Sequence, residues 1–198
     1  MKPYLQSCAI IDFDHADVAH KAAALAAGCI SGEQVAEKCF VFVRDEIRHS
    51  RDFNLNPLTC KASEVLQHKT GYCYAKSHLL AALLRANGIP AGLCYQRLSV
   101  GTGGPPYCLH GLNAIYLKGH GWYRVDARGN KPGVEAVFCP PVERLAFPIV
   151  EVAEADLPEI WAEPLPLVVR ALESGQTVEA LYDHLPDIEL VSLAARKN

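Results

Sequence analysis

The sequence predicts an α+β fold, with helices packed on a mainly antiparallel sheet and a proline-rich wrap behind them. Three observations carry this. Helical periodicity runs from near the N-terminus to Asn87-Gly88, and alternating, β-type patterning replaces it from Ala91 to Ala127. After Phe138, prolines recur at Pro140, Pro141, Pro148, Pro158, Pro164 and Pro166, which leaves room for little regular structure. Helices followed by an antiparallel sheet, without β-α alternation, is the pattern of an α+β layer fold.

Taken in order, Ser7 to Phe13 is a short apolar run that fits a strand or an extended arm. "HADVAHKAAALAAG" is an alanine-rich helix closed by Gly28. "SGEQVAEKCFVFVRDEI" is a second helix, with Ser31 and Gln34 in capping-box spacing and Val35, Cys39, Phe42 and Ile47 near one face. "ASEVLQHK" is a third, short helix stopped at Thr70-Gly71. The next helix begins near Cys73 and carries a wide stripe of Leu79, Leu80, Leu83 and Leu84, so it is deeply packed. Gly88 and Pro90 end it. "AGLCYQRLSV" is a strand and "GTGGPPY" a loop that hints at a narrow entrance. "HGLNAIYL" and "GWYRVDA" are strands of a hairpin, and "RGNKPG" is a turn. Two short helices are expected near 165–173 and 177–184. Residues 1–198 therefore read as one domain, with a core of about 40–130 and an extension of about 139–198.

Half of the chain is apolar and the net charge is −3, which suits a soluble globular protein and disfavours nucleic acid as a partner. No run of apolar residues is long enough for a membrane span, and the first residues lack signal-peptide character, so a cytoplasmic location is expected. The eight cysteines are evenly spread with no CxxC, which predicts buried thiols, no structural disulfide and no zinc site. The sequence leaves the oligomeric state open.

Cys73 stands apart from the other seven. It sits after Gly71-Tyr72 at the first turn of its helix. There the positive end of the helix and unpaired amides favour thiolate and can receive an oxyanion. Such a thiol needs a base. His15, His20, His49 and His184 lie in polar stretches and are expected to be solvated; His120 is at a hairpin tip, and His78 is on a different helical face from Cys73. His110 instead opens a strand beside the Gly-Pro loop. Asp126 ends the partner strand, where an aspartate disfavours β structure and calls for a partner. If Leu117 faces Gly121 across a three-residue loop, Asp126 opposes Leu112, shares a face with His110 and lies one diagonal step from it. A two-residue loop puts the two on opposite faces.

The blocks "FVRDEIRHSRD", "ASEVLQHKTGYCYAKSHLLAALLRANGIPAGLCYQ", "LHGLNAIYL" and "GWYRVDARGN", from about Phe40 to Asn130, resemble the transglutaminase-like superfamily in its bacterial form, within the papain-like group of cysteine enzymes. The resemblance implies a papain-like, transglutaminase-like core with Cys73, His110 and Asp126 as catalytic triad. It implies attack of the Cys73 thiolate on an amide or ester of a peptide, a protein or a small molecule, a thioester intermediate, and then hydrolysis or transamidation. The oxyanion donors it implies are the Cys73 N–H and one side chain, for which Gln67 is the nearest upstream amide. Calcium is used by the eukaryotic cross-linking members, but no acidic EF-hand-like loop is visible here, so no metal or other cofactor is expected. Two rival readings remain open at this point: a catalytically silent binding or scaffold protein, and a zinc protein using the same three residues.

Overall fold

The computed structural model describes residues 1–101, 103–175 and 177–190, so Thr102 of the Gly-Pro loop and the end of the expected extension, 191–198, lie outside the described residues. Leucine periodicity sets the centre of the fold. Helix α5 (Cys73–Ala86) is buried from Cys73 through Arg85. Its leucines pack on several sides, and its buried Lys76, Ser77, His78 and Arg85 hydrogen-bond to backbone carbonyls. Helices α1 (Ala16–Ala26), α2 (Gly32–Val41) and α4 (Ala62–His68) surround it. Its remaining face lies on a four-stranded antiparallel sheet of order β5-β4-β3-β6, made of β3 (Ala91–Ser99), β4 (Tyr107–Leu117), β5 (Gly121–Val125) and the short β6 (Ala155–Asp156). One large core cluster joins helices and sheet. A small second cluster of Cys94, Leu112 and Ala114, with Trp122, Leu145 and Ile160, lines the sheet's other face.

Several expected elements change in detail. Ser7 to Phe13 forms bends and a turn rather than a strand, although Ile10 and Ile11 are buried as its apolarity required. The second helix does not run to Ile47. After Val41 it widens into a π-type segment, Phe42–Glu46. The buried face is accordingly Ala36, Cys39, Phe40 and Val43. Its capping box is half formed: Ser31 Oγ accepts from Gln34 N at 3.2 Å, while Gln34 Oε1 accepts from Ile30 N instead. Two dipeptide strands too short for a periodic signal, β1 (Arg48–His49) and β2 (Thr70–Gly71), pair in parallel, with His49 beside Gly71. A one-turn helix α3 (Ser50–Phe53) follows β1. Strand β4 begins at Tyr107, so His110 sits inside the strand rather than at its start.

The proline-rich segment wraps the body. Leu93 and Trp161 exchange backbone hydrogen bonds of 2.8 and 2.9 Å, and Leu157 N donates to Tyr95 O. Arg85, at the end of α5, donates to the carbonyls of Gln6, Ala91 and Ala162, tying both ends of the chain to the central helix. Helices α6 (Pro166–Ser174) and α7 (Val178–Asp183) bury Val168, Leu172, Val178 and Leu181 in the main core. Beyond α7, Pro186 O accepts from Leu109 N at 2.7 Å, and Asp187 pairs with both ends of the Arg97 guanidinium at 2.7 and 2.8 Å. All eight cysteines are free thiols. Among the described residues, no helix is long and apolar enough to cross a membrane.

Candidate active site

The site lies where the start of α5 meets β4. Gly111 makes the contact possible. A Cβ there would stand 2.9 Å from the Tyr74 ring and 3.1 Å from Tyr74 Cα, closer than packed atoms approach. With no side chain in between, the strand backbone reaches the helix start, and Gly111 N–H points at Cys73 Sγ over 3.5 Å. The Tyr74 hydroxyl donates to Leu109 O on the same stretch of strand. Leu109 and Gly111 thus present their backbone groups to α5 and the tail. Asn113, further along, donates to Ser77 O of the helix at 2.9 Å.

The hairpin has the three-residue loop: Leu117 pairs with Gly121, and the register continues to Asn113 with Val125. Asp126, next in the chain, lies diagonal to His110 on the same face. Its Oδ2 is 2.6 Å from His110 Nε2. The carboxylate is fully buried and also accepts from Arg128 N (3.1 Å, Oδ1) and Ala146 N (3.3 Å, Oδ2). Burial alone would raise its pKa, but His110 and these two amides hold it below the usual carboxylate range. Burial likewise works against charge on His110. The Asp126 carboxylate and the Cys73 sulfur, each by charge and by hydrogen bonding, outweigh it and raise the pKa from 6.5 to about 10. With Nε2 on Asp126, Nδ1 is the nitrogen left for Cys73. A thiol, an imidazole and a carboxylate are therefore brought together in the order that transfers a proton from sulfur and retains it on the ring.

The cleft over the sulfur has a volume of about 640 Å³. Cys73, His110 and Phe147 line it, along with Cys108, the Leu98–Gly101 end of the Gly-Pro loop, and Tyr182 and Leu185 of the tail. Phe147 stands edge-on to the His110 ring, with centroids 5.0 Å apart. Gln67 is not at the site: it is exposed on α4 and does not line the cleft. Sequence distance misled here, because Lys69 in left-handed backbone turns the chain between Gln67 and Cys73. His78 is fully buried, with Nδ1 on Cys60 O at 2.8 Å, away from the cleft. His120 is exposed.

His49 corrects a second expectation. It is buried in the cleft wall, not solvated, with its ring 4.9 Å from that of Tyr72. Its polar partners come mainly from far along the chain, with Asp52 the one sequence neighbour among them. Arg128 Nη2 lies 3.4 Å from His49 Nδ1 and donates to Asp52 Oδ2 at 2.8 Å, and Lys131 Nζ donates to Asp52 Oδ1 at 2.7 Å. Burial, then Arg128, Lys76, His110 and Lys131, push the His49 pKa well below 6.5. Lys76 is also buried, donating to the Arg44 and Ile47 carbonyls that end the π-type segment. Among the described residues, no group of three or more His, Cys, Asp or Glu side chains is disposed to hold a metal ion.

Comparison with known proteins agrees with this architecture. A structure from Cytophaga hutchinsonii, named a "Putative Cysteine Protease", superposes with a TM-score of 0.51 at 18% identity, covering 64% of this chain and 41% of that one. The likeness extends to the fold, and the chain spans less than half of that protein's length. No curated protein matches the chain. The pattern of the transglutaminase-like superfamily matches residues 19–127, more than half of the chain, from within α1 to the residue after Asp126. The protein belongs to the transglutaminase-like superfamily.

Proposed function

We propose that the protein catalyses cysteine-dependent acyl transfer or amide hydrolysis through a thioester on Cys73. The observation that carries this reading is the buried 2.6 Å pair of His110 and Asp126, held against a cysteine at a helix start. The Cys73 sulfur attacks the carbonyl carbon of an amide or ester, and the carbonyl's π electrons move onto oxygen. When they return, the bond to the leaving group breaks, and His110 gives its proton to a departing amine. Water or a second amine then attacks the thioester, with His110 taking up the nucleophile's proton. The C–S bond breaks, so that the acid or the new amide leaves and the Cys73 sulfur departs with the electron pair. Asp126 keeps Nε2–H of the ring engaged, so that Nδ1 faces the sulfur. Peptides, proteins and small amides or esters are the acyl donors the cleft is proposed to take.

The test is acyl trapping. Wild-type protein is incubated with a panel of amides and esters and quenched in acid, and the Cys73 peptide is examined by mass spectrometry, with Cys73→Ser as control. A thioester on Cys73 is expected. Turnover of any of these substrates by Cys73→Ala at the wild-type rate overturns the assignment.

A further inference from the structure

We propose that His49 is a catalytic residue, a neutral side-chain donor whose Nε2–H binds the oxyanion formed when the Cys73 sulfur attacks. This rests on Cys73 being the nucleophile. The parallel pairing of β1 and β2 sets His49 beside Gly71, two residues before Cys73, and its ring packs on that of Tyr72. Both His49 and Cys73 line the same cleft.

The tautomer follows from the partners. A guanidinium N–H can only donate, so with Arg128 Nη2 at 3.4 Å, Nδ1 of His49 is the acceptor and the ring proton is on Nε2. Asp52 does not compete for Nδ1: its Oδ2 is 3.6 Å away and takes the Arg128 hydrogen bond instead. The hydrogen bond of the His49 ring to a described residue runs through Nδ1, which leaves Nε2 for a ligand. Desolvation and the surrounding cations keep the ring uncharged. A fixed neutral donor on a residue that lines the same cleft as the nucleophile can stabilise charge that appears only during reaction. The chemistry balances: the S–C bond forms, the carbonyl π pair becomes the oxyanion's, and Cys73 N–H and His49 Nε2–H donate to it without transferring a proton.

The experiment uses p-nitrophenyl acetate as the probe, because its leaving group departs as p-nitrophenolate and needs no acid. The acylation burst is measured beside alkylation of Cys73 by iodoacetamide, a reaction that passes through no oxyanion. His49→Phe keeps a ring and removes the donor. It is expected to lose about 10²–10³ in acylation rate while alkylation stays within about threefold of wild type. His49→Gln restores an N–H donor and is expected to hold acylation within about tenfold of wild type. The proposal is overturned if His49→Phe acylates at the wild-type rate, if its acylation and alkylation fall in parallel, or if Tyr72→Phe carries the loss instead. Should His49→Phe not fold, His49→Gln decides, and a loss beyond about 10² in that variant overturns the proposal. A full burst from Cys73→Ala would instead show that the nucleophile was misassigned.

Discussion

Two histidines face one cleft and hold their protons in opposite ways. His110, inside β4, and His49, at the β1–α3 junction, are each only 5% exposed. Burial is therefore not what separates them. The neighbour is: a buried carboxylate for His110, a guanidinium for His49. One ring is driven toward charge well above neutral pH and the other is held uncharged. The same residue type can thus supply a proton carrier at one place in a cleft and a fixed dipole at another, with Cys73 lining the same cleft.

The contrast breaks first at the sulfur. Cys73→Ala should abolish thioester formation and lower the His110 pKa, since the sulfur is one of the groups holding that proton; NMR titration of the imidazole checks this, and an unmoved pKa would contradict it. Asp126→Asn should cut acylation by about 10³–10⁴, as loss of an orienting carboxylate does elsewhere. It should also move the alkaline limb of the rate profile down from near 10 toward 6.5. An unchanged profile would leave a Cys73–His110 dyad.

Gly111→Ala tests the approach of strand to helix. The new methyl meets the Tyr74 ring and backbone, so a stability loss of about 1–3 kcal/mol is expected, with acylation falling more than tenfold, roughly. Thermal unfolding and burst kinetics measure the two. Stability should also depend on pH. The His110 contribution is complete below pH 6.5, the free-imidazole value, and drains away as pH rises toward about 10. Asp126, whose pKa is lowered, contributes above the ordinary carboxylate range and loses that contribution in acid. Denaturant titrations should show stability declining from neutral to alkaline pH, and Asp126→Asn should flatten that decline. The smallest effect is expected at the tail. Arg97→Gln removes the Asp187 ion pair, only one-third exposed at the carboxylate, and should cost on the order of 1 kcal/mol or less.

Much of this was legible in the sequence for a physical reason. Long elements with a strong period, such as α5 with its leucines and the alternating β4 and β5, announce themselves, while the face that Asp126 shares with His110 hung on the loop length, which the pairing of Leu117 with Gly121 decides. What was not legible depends on contacts between distant segments. His49 looks solvated among Arg48, Arg51 and Asp52, because the sequence does not show that Arg128 arrives from 79 residues away. Gln67 looks near Cys73 because chain proximity hides the turn at Lys69. Strands of two residues, β1 and β2, carry no periodicity, and the π-type widening at Phe42 leaves apolar residues in a pattern that still reads as helix.

The unpaired part of β4 has a consequence for association. β5 covers β4 only from Asn113 onward, so the stretch from Leu109 to Gly111 is a sheet edge beside the cleft. None of its outward groups goes to another strand. Leu109 N–H is taken by Pro186 O, Leu109 O by the Tyr74 hydroxyl, and Gly111 N–H by the Cys73 sulfur. Open strand edges recruit further strands from other molecules. Pro186 accepts a hydrogen bond but has no amide to offer in return, so the pairing ends with it. The Cys73 sulfur occupies the position that a neighbouring strand's carbonyl would fill. The edge is thereby closed to intermolecular sheet growth.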